Sequence, residues 1–473
     1  MAHETLPRER EQPRAPSERT LGLPQSTALV IGSIIGVGIF SLPYSLAGYG
    51  PISLLAMALT TVGAVALALL FAVLSRRLPA AGGPYAYARA AFGNGVGFAN
   101  AWSYWITAWA GNAAIVVGWV FYVEHFVNKD SVPGWSILIA LVGLWVPAAV
   151  NLTGVRNMGQ FQVVTTVLKF LPLALMSTLG LFFIDTSNFT PWNVSGGTNV
   201  SAVGGAMAIC LFSYLGVETA AVAAAKVRDP ERNIPRSTVL GTLASSVVYL
   251  LSMLAVFGIL PTSELAKADN KASYSVAFNQ IVGGGSWAGD LVAVAVIISG
   301  LGALNGWTMI CAEMPLAAAR NGLFPAIFGR MSSRHVPATG IVASTVLASV
   351  AMAVSYMGAS GSAVFTTLVL MTGITAAIPY AFSALAQIKW RWIDHKQVET
   401  PRFARDMVVA LLSVVFSVLF IWYSRNTGHS FFVYWAPFLM AGGALLLGIP
   451  VYKRQYSEMT EPAEVPPYPE ARS

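Results

Sequence analysis

Residues 25–46 read Gln25-Ser-Thr-Ala-Leu-Val-Ile-Gly-Ser-Ile-Ile-Gly36-Val37-Gly38-Ile-Phe-Ser-Leu-Pro-Tyr-Ser-Leu46. The stretch is apolar over the length of a membrane span, yet glycine interrupts it in the middle. A continuous membrane helix gains nothing from such a break. It frees backbone N–H and C=O groups at bilayer depth, where lipid cannot bond them, so a broken helix persists only where it lines a cavity. A second break is expected at Gly216, two residues before Glu218, in the sixth apolar stretch. Corresponding breaks in two halves of one chain point to the binding site of a secondary transporter.

Working outward, the composition is that of a membrane protein: 55% of residues are hydrophobic, 10% are charged, and mean hydropathy is +0.63. Runs of about 20 apolar residues place twelve spans near 25–46, 52–74, 97–123, 134–152, 160–184, 202–225, 237–260, 287–313, 338–357, 362–388, 407–424 and 431–451. The mixed, proline-containing stretch before the first span is not a compact basic n-region, and no signal peptide is read.

With twelve spans and both termini on one side, 23 of the 28 Lys and Arg residues fall on that side. Four fall on the other (Lys129, Lys267, Lys271, Arg425), and Lys169 lies inside a span. The asymmetry puts both termini in the cytoplasm. It also accounts for the net charge of +7 as anchors spread over many loops, which argues against a nucleic-acid partner.

Cys210 and Cys311 both lie in spans and read as reduced packing residues, with neither a disulfide framework nor a metal site implied. The sequons at Asn151, Asn188, Asn193 and Asn199 read as ordinary loop polarity. Residues 1–20 and 455–473 are polar, proline-containing tails expected to be disordered. Tyr85, Tyr87, Arg89 and Phe92 within 83–95 suit a short amphipathic helix on the cytoplasmic surface.

Several motifs together resemble the amino acid-polyamine-organocation superfamily, most of all its basic amino acid/polyamine antiporters. They are Gly-Val-Gly-Ile-Phe-Ser-Leu-Pro at 36–43, Gly-Gly-Pro-Tyr-Ala-Tyr-Ala-Arg-Ala-Ala-Phe-Gly at 82–93, and Tyr104-Trp105 followed by Trp109-Ala-Gly-Asn112. Phe212-Ser-Tyr-Leu-Gly-Val-Glu218 with Asp229-Pro-Glu-Arg-Asn-Ile-Pro235 belongs to the same set, as does Gly306-Trp307 with Gly322-Leu-Phe-Pro325. The resemblance implies an all-α integral membrane protein with the leucine-transporter fold. Spans 1–5 (residues 21–184) and 6–10 (residues 185–388) would be inverted repeats, and the last two spans (residues 389–454) peripheral.

A broken helix offers unpaired N–H groups and a positive dipole end to a carboxylate, while carbonyls freed after Gly216 can receive an ammonium. That chemistry is amino-acid-shaped. By resemblance Ser33, Gly36, Val37 and Gly38 meet the carboxylate, although the arginine/agmatine exchanger has serine where this chain has Val37. Trp307 matches the tryptophan that stacks on guanidinium, a cation–π contact worth about 2 kcal/mol when desolvated. Phe212 matches a gating aromatic. Tyr104, Thr107, Ala108 and Asn112 in span three, and Thr372 in span ten, match positions at the substrate; polar groups on such helices also serve as interhelical glue.

Ionisable residues inside spans read as functional by default. Glu218 matches a family glutamate beside the sixth-helix break and is a candidate proton sensor, with a structural bond to the unwound backbone as the alternative. Some relatives carry a lysine at the position of Lys169, over the site where sodium-coupled members hold sodium. Glu313 lies toward the cytoplasmic end of span eight, where it can reach water. No nucleophile–base pairing, nucleotide loop or metal spacing marks an enzyme, and no filter-like repeat marks a channel.

The sequence thus reads as a multi-pass carrier of the cell inner membrane with no cofactor. It is expected to exchange arginine for agmatine or ornithine by alternating access, with a proton-coupled amino acid symporter of broader range as the alternative. Expected partners are amino acids and amines, the lipid bilayer, and a second copy in a homodimer.

Overall fold

With no water to bond the backbone, a membrane segment must satisfy its N–H and C=O groups internally, and the apolar stretches are accordingly helices. The computed structural model describes residues 21–357, 360–396, 399–425 and 431–456, without the side chains of 155–164 and 166. The first stretch forms α1 (Leu23–Ile34) and α2 (Gly38–Leu46), followed by α3 (Ser53–Arg77), α4 (Pro84–Phe92), α5 (Asn94–Val127), α6 (Pro133–Thr153) and α7 (Val155–Thr178). Then come α8 (Asn199–Cys210), a single turn α9 (Thr219–Val222), α10 (Pro230–Ile259), the short α11 (Thr262–Leu265) and α12 (Ser273–Ile281), and α13 (Trp287–Arg320). The chain closes with α14 (Ala338–Tyr356), α15 (Gly361–Ile393), α16 (Thr400–Tyr423), α17 (Phe431–Leu446) and α18 (Gly448–Gln455).

Ten helices among the described residues are long and apolar enough to cross a membrane, counting α1–α2 and α17–α18 each as one. Two shorter apolar stretches, Val167–Phe183 and Asn199–Tyr214, stand where spans five and six are expected. The sixth is short because its helix gives way to a 3₁₀ turn at Leu211–Tyr214, ahead of Gly216.

At the centre lies α5, buried along almost its whole length and flanked by α13 and α15. The broken α1 packs against α10, which pairs with α3, while α7 packs against α13. Small residues permit the closest of these approaches: a Cβ on Gly302 of α13 would lie 1.9 Å from Thr165 Oγ1 of α7. The last helices are peripheral, since of α17 only Pro437 and Ala441 are buried.

Two expectations are corrected. The segment 83–95 is not a surface helix: α4 packs against α5 and α15, with Tyr85, Tyr87 and Arg89 buried and only Phe92 exposed. Asn151 is not loop polarity. It is buried in α6 and donates to Pro147 O at 2.9 Å and to Asn305 Oδ1 at 2.9 Å, tying α6 to α13. The connection at 261–286 holds two helices. The tails at 1–20 and 457–473 lie outside the described residues.

Candidate functional site

At the C-terminal end of α1 the backbone leaves its helical pattern inside the protein. Helical bonding stops at Ile34, Ile35 turns to ψ 89°, and α2 resumes at Gly38. The last carbonyls of a helix have no partner within it. Three consecutive ones here are met by donors from three different helices. Lys169 of α7 donates through Nζ to Gly32 O. Trp307 of α13 donates through Nε1 to Ser33 O at 3.2 Å, and Tyr249 of α10 donates through its hydroxyl to Ile34 O at 2.6 Å. The ammonium of Lys169 also lies at the negative end of the α1 dipole, the favourable pole for a cation.

The second break is pressed against the first. Gly216 has φ +108°, and a Cβ there would lie 2.8 Å from Ser33 Cβ and 2.9 Å from the Ser33 carbonyl carbon, so only glycine fits. Its own carbonyl accepts from Thr219 Oγ1 at 2.7 Å. Glu218 follows, fully buried, with Oε1 accepting from Tyr104 of α5 at 2.6 Å and Oε2 from Tyr380 of α15 at 2.8 Å. The carboxyl thereby links the second break to both central scaffold helices.

Between the breaks is a cavity lined by Ser33, Gly36, Gly38, Phe212, Ser213 and Trp307, with Gly111 and Ile115 of α5. Its volume of about 10 Å³ admits roughly one water. The hydroxyls of Ser33 and Ser213 face no hydrogen-bond partner although both residues are buried. Over the cavity, the Phe212 ring packs edge-on against Phe365 with centroids 6.0 Å apart, and a Cβ on Gly38 would lie 3.0 Å from that Phe212 ring.

Other expected site residues are placed elsewhere. Tyr104 serves Glu218. Thr107 donates to Ser103 O at 3.0 Å and Thr375 Oγ1 at 2.9 Å, and Thr372 donates to Leu368 O at 2.6 Å, so both hydroxyls act between and along helices. Ala108 is buried in α5. Asn112 reaches Thr308 Oγ1 at 3.4 Å across to α13, and its Oδ1 has no partner. Val37 is buried with its side chain toward Gly300. Glu313 is an ion-paired acid: Lys226 donates to it at 2.6 Å, beside a cavity of about 340 Å³ that Arg320 also lines. Sequence reading missed Tyr249, Tyr380 and Ser213. A tyrosine inside a span reads as packing, and only its hydroxyl's target separates the roles.

Apolar helices, two of them broken and pressed together around a cavity with unpaired hydroxyls, define a multi-pass membrane transporter. The amino acid permease family model matches residues 21–444, and the chain belongs to that family. It is 31% identical over 451 residues to an arginine/ornithine antiporter of Pseudomonas aeruginosa, covering 91% of this chain and 90% of that one. It is 29% identical over 385 residues to a cadaverine/lysine antiporter of Escherichia coli (80% and 85% covered). To a putrescine transporter of Escherichia coli it is 30% identical over 369 residues (78% and 83%). The family is one of transporters, not enzymes.

Removing one cap should expose its carbonyl. Tyr249→Phe keeps the ring and leaves Ile34 O with only the Gly36 N–H, at 2.9 Å, as donor, an expected loss of about 1 kcal/mol. Thermal unfolding in detergent should show a lower midpoint; an unchanged midpoint would mean that the Gly36 N–H alone satisfies the carbonyl.

Proposed function

We propose that this protein exchanges basic amino acids and related amines across the cell inner membrane by alternating access, moving arginine against ornithine or agmatine. The observation that carries the reading is the cavity between the two helix breaks, walled by Trp307 and Phe212 and containing the unpaired hydroxyls of Ser33 and Ser213. An aromatic wall suits a cationic side chain, and the break's backbone suits an α-amino acid. The relatives' substrates, basic amino acids and diamines, support the same class. A cavity of about 10 Å³ cannot hold arginine. Binding therefore requires Gly36, Gly38 and Phe212 to part from Trp307, which is the motion alternating access needs.

Residues 21–184 and 185–388 would act as the two inverted halves around this site. The Lys/Arg count supports cytoplasmic termini. A homodimer through the peripheral helices is compatible with the exposed apolar surface of α17, where Phe431, Phe432 and Leu439 are exposed. Lys169 would stand in for a sodium ion, its ammonium fixed on Gly32 O. Proton-coupled symport is favoured as the second reading by one observation, the buried carboxyl of Glu218 between two tyrosines.

Liposomes loaded with ornithine or agmatine should take up labelled arginine many times faster than unloaded ones, at equal rate in sodium and in choline. Uptake that needs no internal substrate and follows a pH gradient would assign symport, and strong sodium stimulation would remove the proposed role of Lys169. Trp307→Ala loses both the aromatic face and the cap on Ser33 O, so arginine affinity by calorimetry should fall more than tenfold, about 2 kcal/mol from the lost face alone. Unchanged affinity in a folded variant would rule out the stacking. If Glu218 titrates during transport, Glu218→Gln should flatten the pH–rate profile; a profile identical to the parent's assigns it to structure.

A further inference from the structure

A groove of about 570 Å³ runs between α3, α10 and α16, at the membrane face that carries the Lys/Arg excess. Its walls are apolar: Leu69, Leu70 and Val73 from α3, Val239 and Leu240 from α10, and Val409 from α16. Its rim is basic. Arg76 stands in the last turn of α3, Arg236 in the second turn of α10, and Arg405 in the second turn of α16.

The order along each helix is the same although α3 runs opposite to the other two. In each case the arginine is at the shallow end and the apolar residues lie three to seven positions deeper, which is about 4–10 Å at 1.5 Å per residue. Leu69 and Leu240 are exposed side chains, so the groove opens toward lipid.

The one acid lining it, Asp406, does not neutralise the rim. Arg405 donates to its Oδ1 through Nε at 3.0 Å and Nη2 at 2.9 Å, and Arg391 donates to its Oδ2. Both carboxylate oxygens are thus taken by Arg405 and Arg391, and neither bonds Arg76 or Arg236. At the wall, Gln387 is only 2% exposed, and its amide Nε2 has no hydrogen-bond partner. A buried donor without an acceptor calls for an explanation.

We propose that this groove binds an anionic diacyl phospholipid, with its phosphate among Arg76, Arg236 and the Gln387 amide and its acyl chains along α3 and α10. Basic pockets between membrane helices on the Lys/Arg-rich side suit anionic headgroups, and the apolar wall below the arginines selects a lipid over a free anion. The site is separate from the cavity between the helix breaks, with which it shares no residue.

Native mass spectrometry tests it on the full chain released from micelles holding equal amounts of phosphatidylglycerol and phosphatidylcholine with matched acyl chains. Phosphatidylglycerol should be retained over phosphatidylcholine. Arg76→Gln and Arg236→Gln should each weaken retention about fivefold and together about 25-fold, while the paired lysine substitutions restore most of it. Gln387→Ala should weaken it without altering the charge. Soluble glycerol phosphate should neither bind nor displace the lipid. Equal retention of both lipids, full retention by the double glutamine variant, or displacement by glycerol phosphate would each overturn the proposal. Thermal unfolding of each variant separates lost binding from lost fold.

Discussion

The capping of three successive carbonyls at the end of α1 is the constraint on which the structure turns. A helix cannot stop at bilayer depth unless its last carbonyls find donors, and here the donors are Lys169, Trp307 and Tyr249, one each from α7, α13 and α10. Three scaffold helices are thereby referenced to one point of backbone. The same residues then serve twice. Ser33 offers its carbonyl to Trp307 and its hydroxyl to the cavity, and Trp307 caps the break with its N–H while its ring forms the wall. Support and cavity wall are the same residues, so the filling of the cavity and the packing of the break cannot be independent.

Glu218 extends this linkage to the other half. Gly216 seats its α-carbon against Ser33, and two residues on the carboxyl accepts from Tyr104 and Tyr380 on the central helices. As a carboxylate it takes both hydroxyl protons. As a neutral acid it brings a proton of its own that needs an acceptor, and the oxygen that carries it accepts more weakly from its tyrosine. Any change in its protonation would therefore be felt at α5, α15 and the second break at once.

How much of this was legible depended on the kind of residue. The breaks at Gly36-Val37-Gly38 and Gly216 were readable because glycine inside an apolar run has few structural uses, and the buried Lys169 and Glu218 because charge at bilayer depth is costly. The tyrosines were not, since a phenol in a span is spaced like any other aromatic. Asn151 was misread for the converse reason: its sequon suggested a loop, whereas its partner Asn305 lies 154 positions away and leaves no local trace. Helix α4 shows the limit of amphipathic reading. Its polar and aromatic residues suit an interface, but they equally suit burial against α5 and α15, where Tyr85 donates to Ala317 O. That Thr107 and Thr372 do not line the cavity likewise depends on helix rotation, which spacing does not fix.

The unpaired hydroxyls bear on why such a scaffold favours exchange. If the two breaks close without substrate, Ser33 Oγ and Ser213 Oγ are buried with no partner, at a cost of about 1–3 kcal/mol each. In the proposed binding mode an amino acid supplies carboxylate acceptors and ammonium donors to those groups, so the loaded closed state is relieved of a penalty that the unloaded one retains. A difference of about 2–6 kcal/mol in the closed state slows the unloaded return by roughly thirtyfold or more. The carrier then crosses readily only when loaded, and net uptake gives way to one-for-one exchange. In that proposal the loaded and unloaded states are told apart by two hydroxyls and the backbone of the breaks, and the side chain carried is selected by the aromatic wall of Trp307 and Phe212.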